Sequence, residues 1–197
     1  MSREDWRLPK LNPFRVERLH SLAFRAPRFS LAELLGQFEV QQRRGCIVGP
    51  HGTGKTTLVG ELCTEFTARG VQFNRLQLSA SSQHNVTLVR EWLSAARLEQ
   101  ILVLDGAEQL PIHQWWKFRW RTRHFAGLLI TTHSPGRLPT LHRTGSTPAL
   151  LQELVRELVP ELEFSADVVD QLYRQHAGNI RECLRELYDR AASGSLT

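Results

Sequence analysis

The chain has 197 residues, 41% of them hydrophobic and 23% charged, with a formal net charge of +5. This composition excludes a mostly disordered chain, and the length suffices for one domain, or one domain with a small appendage, built on a core that needs no disulfide staples. Cys46, Cys63 and Cys183 form no C-x-x-C pair, which excludes the usual zinc spacings and a disulfide framework. A charged N-terminus without a secretory apolar stretch, and no apolar run near the ~20 residues of a membrane span, predict a cytoplasmic protein.

Residues 1–30 carry Pro9, Pro13 and Pro27, which forbid one continuous helix and predict an extended arm or linker. Leu31, Leu34, Leu35 and Phe38 recur at helical spacing behind Ser30, an N-cap, and predict a helix over 31–42. Residues 46–48 form a short apolar strand. Residues 56–68 are amphipathic, with Leu58, Val59, Leu62, Cys63 and Phe66 on one face and Gly70 as the stop. A strand over 71–78 and a helix over 86–96 follow. The unbroken apolar run at 101–104 predicts a strand buried on both faces. A helix over 111–124 with Pro111 near its first turn and a buried strand at 128–130 complete the alternation. Strand–helix alternation of this kind predicts an α/β fold, with a parallel sheet of about five strands between two layers of helices.

Beyond about residue 145 the pattern is helical only. Thr147 and Pro148 open a helix carrying Leu150, Leu151, Leu154, Val155 and Leu158. Ser165 caps a second with Val168, Val169, Leu172 and Tyr173, and Asn179 begins a third with Ile180, Cys183, Leu184, Leu187 and Tyr188. The expected organisation is therefore an arm over 1–30, an α/β domain over 31–145 and a helical lid over 146–197.

The run Gly49-Pro50-His51-Gly52-Thr53-Gly54-Lys55-Thr56 matches G-x-x-x-x-G-K-[ST] in full, between a predicted strand and a predicted helix. Glycines there let backbone N–H groups turn toward phosphate oxygens, and the helix start adds its unpaired N–H groups and the positive end of its dipole. Lys55 supplies charge for the β- and γ-phosphates, Thr56 a hydroxyl for Mg²⁺, and Thr57 reaches the α-phosphate. Asp105 ends the apolar strand, at the edge where a parallel sheet opens its binding crevice, and suits the Mg²⁺ shell. Its plainer role would be a cap on the next turn. The expected ligands are ATP and Mg²⁺.

The phosphate loop, the strand ending in Asp105, the polar strand end Thr131-Thr132-His133 and the helical Gly178-Asn179-Ile180-Arg181 follow in that order. Over about residues 12–190 the chain resembles the AAA+ ATPases and their STAND relatives. Leu11-Asn12-Pro13-Phe14 looks like the entry segment of bacterial ATPases of the ExeA and TniB kind. The resemblance implies a P-loop three-layer fold. It also implies a first sensor at Thr132 or His133 beside the γ-phosphate, and a second sensor at Arg181.

Two departures stand out. Many AAA+ members place Glu directly after the strand-end Asp, where it activates water; here Gly106 follows, and Glu108 is the nearest acid, either the general base or a solvated loop carboxylate. After His133, the stretch Ser134-Pro135-Gly136-Arg137-Leu138 leaves no room for the family's helix before an arginine finger, and Arg137 and Arg143 remain as finger candidates.

Residues 113–125 interleave Trp115, Trp116 and Trp120 with Lys117, Arg119, Arg121 and Arg123. Three readings are open: a helix packing Trp116 and Trp120 on the sheet, a protein or subunit interface, or a nucleic-acid surface, DNA included, with aromatic faces for bases and cations for phosphates. The basic net charge fits the last and fits equally an arginine-rich composition. The function these features imply is an ATP-binding switch, slowly hydrolysing with Lys55, Asp105, Glu108, His133 and Arg181 at the chemistry. The alternatives are an adaptor that binds nucleotide without hydrolysis, and a small-molecule kinase.

Overall fold

Five short strands make one sheet: β1 (Arg44–Val48), β2 (Phe73–Gln77), β3 (Ile101–Asp105), β4 (Gly127–Thr132) and β5 (Thr140–Arg143). All neighbours are parallel, in the order β2-β3-β4-β1-β5. The computed structural model describes residues 3–20, 22, 24, 30–162 and 164–196. It divides into an α/β unit, residues 26–49 and 55–144, and a helical unit, residues 1–25, 50–54 and 145–197.

In the α/β unit both central strands, β3 and β4, are buried throughout, as expected of a sheet covered on both faces. Period-2 alternation sends Cys46, Val48, Leu102, Leu104, Leu128 and Ile130 to one face, where they pack with α4 (Asn85–Ala95) and α5 (Ile112–Arg121). The unit also contains α2 (Leu31–Val40) and α3 (Lys55–Ala68), joined to each other and to β2 by aromatic contacts. Phe66 lies 6.1 Å from Phe38 and 6.0 Å from Phe73, centroid to centroid. The fifth strand has no counterpart among the apolar runs of the sequence. Only Leu141 in it is buried, because an edge strand beside β1 needs few apolar residues.

The helical unit holds α6 (Pro148–Leu158), α7 (Ala166–Gln175) and α8 (Ile180–Ser193). Each has the predicted cap: Thr147 accepts from Leu150 N, Ser165 from Val168 N and Asn179 from Glu182 N. The same unit takes in the chain's beginning. Where the prolines suggest an extended arm, a 3-10 turn (Arg3–Arg7) and α1 (Val16–His20) pack onto the helices. Trp6 and Phe14 are 2% and 1% exposed within one cluster with Leu151, Leu184 and Leu187. The prolines do interrupt the helix, but aromatics between them supply enough apolar area to hold the segment down.

Asn12 is the polar pin of that attachment. It is fully buried, its Oδ1 accepts from Phe14 N at 3.0 Å, and its Nδ2 donates to Tyr188 O on α8 at 3.0 Å. Asn12→Ala leaves the buried Phe14 N–H without its acceptor and removes the second donor to Tyr188 O, and we expect urea unfolding to show a loss of about 1–3 kcal/mol; unchanged stability would mean that the segment is not part of this core.

Candidate active site

The phosphate loop follows β1 directly, and α3 begins at Lys55. Gly52 and Gly54 hold φ of +70° and +87°, a left-handed region that side chains disfavour. Gly49 is buried, Pro50 and His51 are exposed, and Thr53 is buried with its hydroxyl donating to Pro50 O at 2.9 Å. Lys55 is buried and folds back on the loop, Nζ donating to Gly49 O at 2.6 Å. Thr56 is half-buried and Thr57 exposed on the first turn of α3. Short hydroxyl and carboxylate oxygens suit a hard divalent ion, and a lysine at a helix start suits phosphates, so the donor set fits Mg²⁺ with a triphosphate.

Asp105 is the buried acid of the α/β unit, 4% exposed at the end of β3. Burial without partners would be costly, and two partners meet it. The Thr131 hydroxyl donates to Oδ1 at 2.7 Å, and Arg75 Nη2 donates to Oδ2 at 3.3 Å. Thr131 also accepts from Gly106 N at 2.7 Å, so its hydroxyl ties the strand end to the following turn. Thr131 stands in the polar strand end read from the sequence, without this role, and Arg75 is marked by no motif. The register makes them: β4 lies between β1 and β3, and odd-numbered residues of β3 and β4 share a face.

The expected sensor position divides differently from the sequence reading. Thr132 points to the opposite face, its hydroxyl donating to Ser134 O at 2.7 Å and lying 3.1 Å from Cys46 Sγ. Burial pushes the Cys46 thiol up to about 11, which keeps it protonated and out of the chemistry. His133 Nε2 lies 3.0 Å from Glu108 Oε1. Two residues singled out separately from the sequence thus form one pair, and Glu108 Oε2 is buried with no hydrogen-bond partner among the described residues.

Why no glutamate follows Asp105 is visible in the backbone. Gly106 adopts φ +87°, and a Cβ there would lie 3.0 Å from Leu78 O. A side chain at this position is both strained and obstructed, so a carboxylate must come from further along, in the 3-10 turn that holds Glu108.

Arg137, a finger candidate, is turned inward. It donates to Leu110 O at 2.8 Å, its guanidinium sits 5.1 Å from the Trp115 ring centroid, and burial lowers its pKa. Arg143 is exposed at the end of β5. Of the three readings of the tryptophan segment, the one that packs Trp116 and Trp120 on the sheet is not what forms: Trp115 and Phe118 pack there, while Trp116 and Trp120 are exposed.

Within the helical unit, the loop tip meets the start of α8. A Cβ on Gly52 would lie 1.8 Å from Asn179 Oδ1 and 3.2 Å from Arg181 N, so only glycine fits beside this capping residue. Arg181 itself is exposed on the first turn of α8. Asn179 therefore has a second structural role that its position as a helix cap alone does not announce.

Residues 45–139 match the family model described as "ATPase family associated with various cellular activities (AAA)". That match spans just under half of the chain, which is in this stretch similar to an AAA ATPase domain. A search of curated proteins returned no match to the sequence. Among solved structures, the Thermotoga maritima RuvB Holliday junction branch migration motor superposes with a TM-score of 0.50 at 16% identity, over 80% of this chain and 58% of that one. A mutant of the same RuvB gives 0.53 at 15% identity, over 80% and 59%. PCH-2 of C. elegans gives 0.42 at 14% identity, over 84% and 66%. The chain thus spans under three fifths of the RuvB chains. The RuvB likeness establishes the fold. Among the described residues, no helix is long and apolar enough to cross a membrane.

Gly106→Glu introduces the residue commoner in the AAA+ ATPases that the sequence resembles but forces it into a left-handed backbone against Leu78 O. We expect a loss of about 1–3 kcal/mol in chemical denaturation, without a gain in turnover; a stable, faster variant would contradict the geometric account.

Proposed function

We propose that the protein is a Mg²⁺-dependent ATPase of low turnover that works as a conformational switch for a macromolecular partner. The observation that carries the reading is the complete phosphate-loop sequence, combined with the buried Asp105 carboxylate held by Thr131 and Arg75 in the α/β unit that also holds Gly49, Lys55 and Thr56. In this reading Lys55 leaves the Gly49 carbonyl for the β- and γ-phosphates, and Thr56 and Asp105 hold Mg²⁺. Held there by Thr56 and Asp105, Mg²⁺ would supply positive charge against the phosphates.

Chemistry at the γ-phosphate is transfer to water, which needs an oriented nucleophile and a proton acceptor. Glu108 supplies the acceptor. His133 holds one of its oxygens at 3.0 Å, and Oε2, buried in this structure, has no hydrogen-bond partner among the described residues. His133 is then a positioning residue, acting through Glu108. Arg181 is the second sensor: nucleotide draws the helical lid in through it and so alters the partner-binding state. The inward Arg137 does not serve as a finger, and Arg143 remains a candidate.

One observation favours a second reading, an adaptor that binds ATP without turning it over: Gly106 stands where a catalytic glutamate is commoner. Phosphate-release measurements on the wild type, Lys55→Ala and Glu108→Gln separate the two. The switch reading expects wild-type turnover, loss of ATP binding in Lys55→Ala, and a fall of about 10²-fold or more in Glu108→Gln with ATP affinity kept. ATP binding by the wild type without phosphate release, with or without DNA, would leave the adaptor.

A further inference from the structure

The outer face of α5 has no part in the nucleotide reading. Ile112, Trp116 and Trp120 stand at i, i+4 and i+8 and are 62%, 56% and 63% exposed. They form one apolar stripe about 12 Å long. His113, Lys117 and Arg121 repeat the same spacing beside it, all exposed. A helix normally turns such a stripe inward; here the inward face is already taken by Trp115 and Phe118, with Trp92 of α4 stacked on Phe118 at 6.3 Å.

Between α4 and α5 runs a groove of about 570 Å³. Its inner lining is aliphatic or aromatic and buried: Val89, Leu93, Leu110 and Phe118. Its rim is Trp116 and Trp120 with Arg90, Lys117 and Arg121, all exposed. No acidic residue lines it, and among the described residues the three rim cations make no ion pair. The groove therefore joins an apolar interior to unneutralised positive charge.

Two partner classes carry negative charge, and the interior chooses between them. Single-stranded nucleic acid needs open aromatic faces for its bases. Arg119 lies over Trp116 at 5.4 Å and Arg123 over Trp120 at 4.5 Å, so each exposed ring has a face covered by a cation. Between the helices the wall is Val89, Leu93 and Leu110, which suits leucine-like side chains, and Ile112 extends the stripe with a group on which no base stacks. An apolar slot between two helices, flanked by charge, is the geometry that accepts an amphipathic helix through residues at i, i+3/i+4 and i+7.

We propose that the α4–α5 groove is a docking site for an acidic amphipathic helix of a partner protein. Apolar side chains of that helix enter the slot against Trp116 and Trp120, and its carboxylates meet Arg90, Lys117 and Arg121. The proposal deepens the switch reading, on which it rests for its biological role, by giving the chemistry of the partner; its test is binding without nucleotide, while phosphate release measured in parallel reports on the switch itself.

The probe is a displayed library of 18-residue helices with varied apolar residues at the buried positions and Glu or Asp on the flanks. A matching library carries Lys on the flanks, and a dT20 strand is measured beside both. The variants are Trp116→Ser/Trp120→Ser and Lys117→Glu/Arg121→Glu, all at exposed positions, with thermal melts to show that the fold is kept. The expected result is selection of acidic helices that bind saturably, lose at least tenfold in affinity to either variant, and give way to Lys-flanked helices on Lys117→Glu/Arg121→Glu. Enrichment of Lys-flanked helices on the wild type, no enrichment from either library, or dT20 binding that alone depends on Trp116 and Trp120 would overturn the proposal, the last in favour of a nucleic-acid surface.

Discussion

A carboxylate cannot be buried at the end of a strand unless its surroundings are arranged for it. Asp105, 4% exposed, is that constraint here. An unpaired ionised group in such a place would be strongly disfavoured, so the sheet must bring donors to both oxygens. β4 does so from one side with the Thr131 hydroxyl and β2 from the other with Arg75. The strand order follows the same requirement: β4 separates the phosphate-loop strand β1 from β3, so Thr131 stands in the strand between the loop strand and the acid. The hydroxyl then continues to Gly106 N and fixes the turn that leads to Glu108.

That turn explains how the chain departs from the usual pattern of the AAA+ ATPases it resembles. The left-handed Gly106, closed in by Leu78 O, leaves no place for a side chain immediately after the acid. The next carboxylate along, Glu108, is oriented by His133 from the end of β4. β3 and the 3-10 turn after it thus meet the end of β4 in two pairs, Asp105 with Thr131 and Glu108 with His133. The parity of the strands sends the neighbouring Thr132 to the opposite face, beside Cys46.

Much of this was legible in the residues, and the reasons are specific. The phosphate loop is set by short-range backbone needs, so glycines, Lys55 and Thr56 announce it. The central strands read clearly because burial on both faces makes their apolar runs continuous. Helix caps at Thr147, Ser165 and Asn179 read clearly because the cap is local chemistry. What depends on register or on distant partners did not read. β5 contains a single buried residue, Leu141. Thr131 and Arg75 reveal themselves only when three strands are in line. Trp115 rather than Trp116 and Trp120 faces inward because it shares the i, i+3 stripe of Phe118, which packs on the sheet and on Trp92 of α4. The proline-rich beginning misleads in the same way: proline fixes local geometry, whereas the burial of Trp6 and Phe14 is decided by helices more than a hundred residues away.

The central claim is that the phosphate loop and the Asp105 carboxylate act on one Mg²⁺–nucleotide ligand. Calorimetric titration of ATP into the wild type and into Asp105→Asn, each with and without Mg²⁺, tests it most directly. The account predicts that Mg²⁺ tightens ATP binding to the wild type and that most of this gain disappears in Asp105→Asn, while metal-free binding is kept. An equal Mg²⁺ effect in both proteins, or no ATP binding by the wild type, would contradict it.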